Sequence, residues 1–366
     1  MKLRLVLSDL HLGTGARRGE LNPFEDFHHD EAFADLLEEY DREVGDAELE
    51  LILNGDIFDL LKVKIDGVWP LEVTEEMAAE KLRQCLDGHP RFVRSLREFL
   101  ARRGRYLVFL PGNHDLEMVF PAAQELFRRY VAPGELAERV RFVTATDAYH
   151  LPEGIQIRHG HQYERIHRVD YRRMFRKRRD GTEILDLPWG SLWILEVMNP
   201  AKEARSYVDR IQPLGRFLVG ALLFDTLFVL HFLWRSTIYF LRRRVFDIGA
   251  WIERIRRLPE MVQQDILALG SFDAAVLRDL KRLRGVRWLI IGHSHGPRYM
   301  QIEGGKVLVN TGTWMKMINL DVSHLGQDSG LTYCTIEYPE GQGEPKVSLL
   351  RWHGTRKPYE VIPYAD

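Results

Sequence analysis

Residues 49–59 read LELILNGDIFD. A short apolar run gives way to Asn, Gly and Asp, the form of a buried β-strand that ends in a turn. The same form recurs at LRLVLSDLHLG (3–13) and RYLVFLPGNHD (105–115). Helix-like stretches lie around 30–44 and 74–102. Apolar strands alternating with helices predict an α/β fold, with layers stacked around a buried sheet. Each polar cluster falls just past the C-terminal end of its strand, where open α/β sheets bind ligands.

Further strands are expected within 139–161, at RVRFVTA, AYHLP and GIQIRHGH. From about 162 to 283 the pattern turns helix-like and rich in Arg, Trp and Leu. Strand character returns at VRWLIIGHSH (286–295), PRYMQIEGGKVLVNTGTW (297–314), LTYCTIEY (331–338) and KVSLLRW (346–352), with EGGK (303–306) as a hairpin turn. The chain therefore reads as a sheet-rich body, residues 1–160 and 285–366, interrupted by a helical insertion over 161–284.

A hydrophobic fraction of 45% and a charged fraction of 28% suit a globular protein with a sizeable core. The net charge of −2 argues against a general polyanion binder. Residues 161–260, however, carry 19 Lys and Arg against 12 Asp and Glu, so a basic middle would face an anionic partner or surface. Two distant cysteines, Cys85 and Cys334, exclude a disulfide scaffold and fit a reducing compartment. The first residues read as a strand without an apolar h-region, so no signal peptide and a cytoplasmic location are expected.

Five polar motifs stand at strand ends: Asp9-Leu10-His11; Gly55-Asp56 with Asp59; Gly112-Asn113-His114-Asp115; His159-Gly160-His161; and Gly292-His293-Ser294-His295. Singly, each is more often a turn or cap than a metal site. Together they offer carboxylates, imidazoles and one amide without a thiolate, a set suited to Mn²⁺, Fe or Zn²⁺. Asp56 is the candidate bridging carboxylate, since it lies mid-series beside Gly55, where backbone can approach closely. His161 neighbours a candidate ligand and is a weaker candidate for substrate contact.

DLHLG, NGDIFD, GNHD, HGH and GHSH, in this order, resemble the calcineurin-like metallophosphoesterase superfamily over residues 2–160 and 286–315. The resemblance implies a four-layer αββα sandwich and two divalent metal ions, Mn²⁺ first, with Fe or Zn²⁺ as alternatives. It implies one ion on Asp9, His11, Asp56 and His295, and another on Asp56, Asn113, His159 and His293. It also implies His114 as the catalytic imidazole and Asp59 as the carboxylate that orients it. Such a pair of cations would clamp phosphoryl oxygens and acidify a water between them. His114, if protonated, could then hydrogen-bond or protonate the leaving group.

The insertion sits between His159 and His293, well placed to cover such a site. An insertion there resembles the UDP-2,3-diacylglucosamine pyrophosphohydrolase branch, whose cap receives acyl chains. HGH resembles that branch's HG-acid element, and the final strands and Trp-bearing turn resemble its own. Two features depart from it: His114 stands where that branch has Arg, and the insertion is longer. The resemblance implies a phosphorylated lipid as substrate, with peripheral membrane contact through the insertion. A DNA exonuclease-like phosphodiesterase is the first alternative, on the motifs and the basic run YRRMFRKRRD (171–180). A phosphoprotein phosphatase is the second, on the Asp59 and His114 pair. The bland reading of the basic run is a solvated helix face.

The greasiest run, LLFDTLFVLHFLWR (222–235), needs its own reading. A membrane span takes about 20 apolar residues. Residues 217–234 come close, but Asp225 lies mid-run, at a cost of ~2.5–3.5 kcal/mol. A single crossing would also place ligands of one site on opposite sides of a membrane. The run is expected to be a helix with one polar stripe of His231, Arg235 and Arg242, its apolar face meeting either protein or lipid.

Overall fold

The structure, a computed structural model, describes residues 2–16, 21–212, 214–245, 272–320, 326–339, 343–356 and 358–362. Its first sheet has seven strands, in the order Tyr359–Val361, Lys346–Trp352, Thr332–Tyr338, Lys2–Leu7, Glu48–Asn54, Arg105–Leu110 and Val140–Phe142. The last four run parallel to one another and the rest pair antiparallel. The second sheet has five strands, in the order Arg298–Ile302, Lys306–Asn310, Trp288–Ile291, Ile155–Ile157 and Tyr149–Leu151.

The two-residue period of a strand sorts the side chains into layers. Leu5, Leu7, Leu51, Leu53, Leu107 and Phe109 join one core with apolar residues of the helices Asp30–Val44, Glu75–Gly88, Pro90–Ala101 and Pro121–Val131. Val6, Ile52 and Val108 face the other way and meet Ile157, Trp288, Ile290 and Val309 of the second sheet. Leu289, Ile291 and Leu308 then pack against Val276 and Leu280 of the helix Phe272–Arg282. The order helix, sheet, sheet, helix is the α/β sandwich expected. The EGGK turn closes the hairpin of Arg298–Ile302 and Lys306–Asn310, with Gly304 and Gly305 both at positive φ.

The segment 162–283 departs from a purely helical reading. The basic run 171–180 is not a helix face but a turn leading into a hairpin, Phe175–Lys177 paired with Glu183–Leu185. Gly181 at φ 87° and the Asp180 side chain, which accepts from Thr182 N, set that turn. Ile184 and Leu185 are buried, and Leu185 N donates to Val73 O, so tertiary docking overrides the run's helical appearance. The segment is also anchored in the body. Leu195, Val197, Met198 and Val208 enter the first core, and Ile211–Gln212 pairs parallel with Lys316–Asn319.

The apolar run forms two helices, Leu214–Phe224 and Thr226–Val245, separated at Asp225. Arg205 Nε holds the Asp225 carboxylate at 2.8 Å. Of the expected polar stripe, Arg235 donates to Glu196 O and Arg242 lies 3.8 Å from the Glu196 carboxylate, while His231 is exposed. Val229, Phe232 and Tyr239 are buried, whereas Phe224, Leu227 and Leu223 are 90, 83 and 79% exposed. Among the described residues no helix is long and apolar enough to cross a membrane. Residues 246–271 of the expected insertion lie outside the described residues.

Candidate metal centre

Five strand ends converge. Asp9 and His11 follow the strand Lys2–Leu7, and Asp56 and Asp59 follow Glu48–Asn54. Asn113 and His114 follow Arg105–Leu110, His159 follows Ile155–Ile157, and His293 and His295 follow Trp288–Ile291. Backbone bonds lace the loops together: Asp9 N donates to Gly55 O at 3.1 Å and His11 N to Asp56 O at 2.9 Å. Asp9, His11, Asp56, His293 and His295 all lie at φ between 52° and 68°. Left-handed backbone costs a non-glycine residue roughly 1–2 kcal/mol. Such conformations persist where the surroundings over-determine them, and they cluster at functional sites. Glycines let the loops close: a Cβ on Gly112 would sit 2.1 Å from Asp56 Oδ1, and one on Gly55 would sit 2.5 Å from the His159 ring.

The side chains form two adjacent groups able to hold cations: Asp9, His11 and His295 in one, and Asp56, His159 and His293 in the other. His11 Nε2 lies 3.2 Å from His295 Nε2, and His295 Nε2 lies 3.3 Å from Asp9 Oδ1. Asp56 Oδ2 stands 3.9 Å from His11 Nε2 and 3.1 Å from His159 Nε2, so one oxygen faces both groups. His159 Nδ1 donates to Asn54 O at 2.8 Å, which turns Nε2 toward Asp56. His159 Nε2 and Asn113 Oδ1 are buried without a hydrogen-bond partner. Imidazole nitrogens and an amide oxygen gathered around carboxylate oxygens form a donor set that cations would satisfy, and the residues present fit such ions. The free cysteines are buried outside these groups.

Asp59 is fully buried and serves two imidazoles. It accepts from His114 Nδ1 at 2.9 Å and from His11 Nδ1 at 3.1 Å. The His114 side chain keeps 17% of its surface exposed and is the open member of the pair. Burial lowers the pKa of His114, but the charges of Asp59 and Asp56 outweigh it and raise the value to about 9. Burial likewise raises Asp56, and His159, then His114, more than offset it and hold the carboxyl well below its usual range.

Every candidate residue expected from the sequence is brought to this one end of the sheets. His161 is not in these groups: it is buried beside His159, with Nε2 3.5 Å from the Tyr171 hydroxyl. Three contributors were not foreseen. Asp115 accepts from Gly112 N at 2.6 Å and from the amides of Asp56, Ile57 and Phe58, so it ties two ligand loops together. Burial, then the charge of Asp56, raise its pKa to about 7. Its place in Gly112–Asp115 was the available signal. Glu164 Oε2 lies 3.2 Å from His293 Nε2, with His167 beside it, in a further group that could hold a cation. Lys62 contacts Asp59 at 2.7 Å. Nothing local in the sequence marks Glu164 or Lys62.

The Calcineurin-like phosphoesterase family model matches residues 4–215. No curated protein matches the chain. Among solved structures, it is similar to a predicted phosphoesterase from Streptococcus pneumoniae, at 14% identity and TM-score 0.27, over 99% of this chain and 93% of that one. It is also similar to a dimetal phosphatase from Danio rerio, at 11% identity and TM-score 0.36, over 100% of this chain and 99% of that one. The family match spans more than half of the chain and includes the members of the carboxylate and imidazole groups from Asp9 to His159, with His293 and His295 beyond it. The chain belongs to the calcineurin-like phosphoesterase family and is a metal-dependent phosphohydrolase.

Proposed function

We propose that the protein is a dinuclear-metal phosphoester or pyrophosphate hydrolase acting on a lipid-linked substrate such as UDP-2,3-diacylglucosamine. Residues 1–160 and 285–366, with the helix Phe272–Arg282 that completes the sandwich, would form its catalytic domain, and the rest of 161–284 its substrate cap or membrane-interface element. Asp9, His11, Asp56 and His295 would hold one ion, and Asp56, Asn113, His159 and His293 the other. Mn²⁺ is the first choice for both, and Fe or Zn²⁺ would suit the same donors. Bound there, the ions would supply positive charge to phosphoryl oxygens and acidify an attacking water. The chain's own part is orientation and proton delivery. Asp59 occupies His114 Nδ1, which leaves Nε2 to donate toward the leaving group.

The observation that carries the lipid reading is the exposed apolar face of the helices Leu214–Phe224 and Thr226–Val245. Val219, Leu223, Phe224, Leu227, Leu230 and Trp234 are each more than half exposed. So many exposed apolar side chains on two successive helices suit an interaction site, and acyl chains match their chemistry. The pairing of His114 with Asp59 favours a second reading, a phosphatase for less activated phosphoesters. A nuclease draws less support, because Arg176 and Arg178 of the basic hairpin are both paired with Glu72.

The test is kcat/KM of the Mn²⁺-loaded enzyme on UDP-2,3-diacylglucosamine, bis-p-nitrophenyl phosphate, p-nitrophenyl phosphate and single-stranded DNA. The diacyl substrate should rank first. Leu223→Asp with Leu227→Asp should cost it about tenfold or more while sparing p-nitrophenyl phosphate, given ~1.5–3 kcal/mol for each apolar side chain buried. Preference for single-stranded DNA, with no lipid retained by the purified protein, would refute the lipid reading.

A further inference from the structure

A closed set of buried charges lies directly behind Asp59. Lys62 Nζ contacts Asp59 Oδ2 at 2.7 Å, Asp26 Oδ2 at 2.5 Å and Asp209 Oδ2 at 2.8 Å. Lys202 Nζ contacts the same Asp26 at 2.7 Å and the same Asp209 at 2.6 Å. Arg210 Nε stands 3.6 Å from Asp26. Three cations thus face three carboxylates, and Lys62, Lys202, Asp26 and Asp59 are essentially inaccessible to water. Burial disfavours the Lys62 ammonium, but Asp209, Asp26 and Asp59 outweigh it and keep the amine charged.

The origin of the members matters. Asp26, Asp59 and Lys62 belong to the body, whereas Lys202, Asp209 and Arg210 belong to the segment between His159 and His293. That segment makes a second contact at the same place: Asn199 Nδ2 donates to Leu61 O at 2.8 Å, beside Lys62. Asn199 and Lys202 sit on one short helix, Asn199–Ala204. A buried pair alone is weak evidence for stability, since desolvation consumes most of the attraction. Its geometric effect is stronger, because a charge held in low dielectric cannot leave its partners without a large penalty.

We propose that Lys62 is a positioning residue for the reaction, fixing Asp59 against His114, and that Lys202 and Asp209 of the inserted segment fix Lys62 in turn. Asp59 has two oxygens and three partners: Oδ1 takes His114, and Oδ2 takes His11 and Lys62. With Lys62 in place the carboxylate has no freedom to rotate away from His114. The inserted segment therefore reaches the imidazole through two ion pairs, Asp209 to Lys62 and Lys62 to Asp59. This inference rests on the reading of His114 as the proton donor, and the test separates the two.

The experiment compares His114→Ala, Lys62→Met and Asp209→Asn in the Mn²⁺-loaded full chain. Each is assayed on bis-p-nitrophenyl phosphate, whose leaving group is good, and on diphenyl phosphate, whose leaving group is poor. Manganese content is measured alongside. Lys62→Met should lose about 10–100-fold on diphenyl phosphate, the range of an outer-shell contact, and under about threefold on the nitrophenyl ester. Asp209→Asn, which keeps its volume and leaves Lys62 two carboxylates, should move the same way by about 3–10-fold, so the inference stays testable if Lys62→Met folds poorly. Lys62→Met added to His114→Ala should cause no further selective loss. If His114→Ala is selective while both other variants lose equally on the two esters, Lys62 is merely structural and the proposal fails alone. If His114→Ala is itself unselective, the donor reading and this proposal fall together.

Discussion

His89 yields a prediction about pH and stability that can be worked through in numbers. It is 3% exposed and sits between two carboxylates, with Nδ1 3.1 Å from Asp30 Oδ1 and Nε2 3.1 Å from Glu25 Oε2. Burial alone would lower its pKa; the bonds to Asp30 and Glu25 outweigh that and raise it from 6.5 to about 9. A raised histidine adds stability that is fully present below the unfolded value of 6.5 and is lost as pH climbs through about 9. At ~1.4 kcal/mol for each tenfold change in proton affinity, the contribution is about 3 kcal/mol. Glu25 also accepts from the amides of Gly13, Gly15 and Phe27, so the same contact pins the loop that follows His11. The assay is urea unfolding of the wild type and His89→Gln at pH 6.5 and pH 10. Groups common to both proteins cancel in the difference between them. That difference should shrink by about 3 kcal/mol on going to pH 10. A difference that stays constant within about 1 kcal/mol would show that His89 is not held as an imidazolium, and the reasoning would fail.

Two further perturbations probe other layers of the structure. Gly112→Ala should lower kcat/KM by about 100-fold or more and deplete bound metal, read by elemental analysis, with the circular dichroism unchanged, because its Cβ would meet Asp56 Oδ1 at 2.1 Å. Lys81 and Glu117 form a pair at 2.6 Å with both side chains at 0% exposure, so Lys81→Met should cost about 3–5 kcal/mol in urea unfolding. Adding Glu117→Leu should recover much of that loss.

The sandwich was legible because each of its central strands is written as a local apolar run, and the turns that end them carry the polar motifs. LELILNGD and RYLVFLPGNHD needed no knowledge of their neighbours to be read. The candidate site was legible for the same reason, since all of its expected members stand within a few residues of a strand end. What was missed depends on partners distant in sequence. Lys62 looks like an ordinary surface lysine until Asp209 and Lys202 are folded onto it. Glu164 gains meaning only beside His293, 129 positions later. The basic run 171–180 looked helical because its strand character comes from docking of Leu185 on Val73, which no periodicity records. Asp225 reads in the sequence only as a charge within a greasy run; that two helices part there depends on its capture by Arg205, 20 positions earlier.

The spread of the proposed ligands along the chain, from Asp9 to His295, bears on how the enzyme is made. During synthesis the early carboxylates leave the ribosome long before the imidazoles that complete their groups. Until the strand Trp288–Ile291 has emerged and paired with Ile155–Ile157, no part of the nascent polypeptide can present both groups of donors. The left-handed turns at Asp9 and Asp56 are disfavoured in an unfolded chain, so they too await the finished sheets. Capture of metal by both proposed groups would then be a late event in biogenesis, and a loaded centre would report that the strands from Lys2–Leu7 to Trp288–Ile291 have come together.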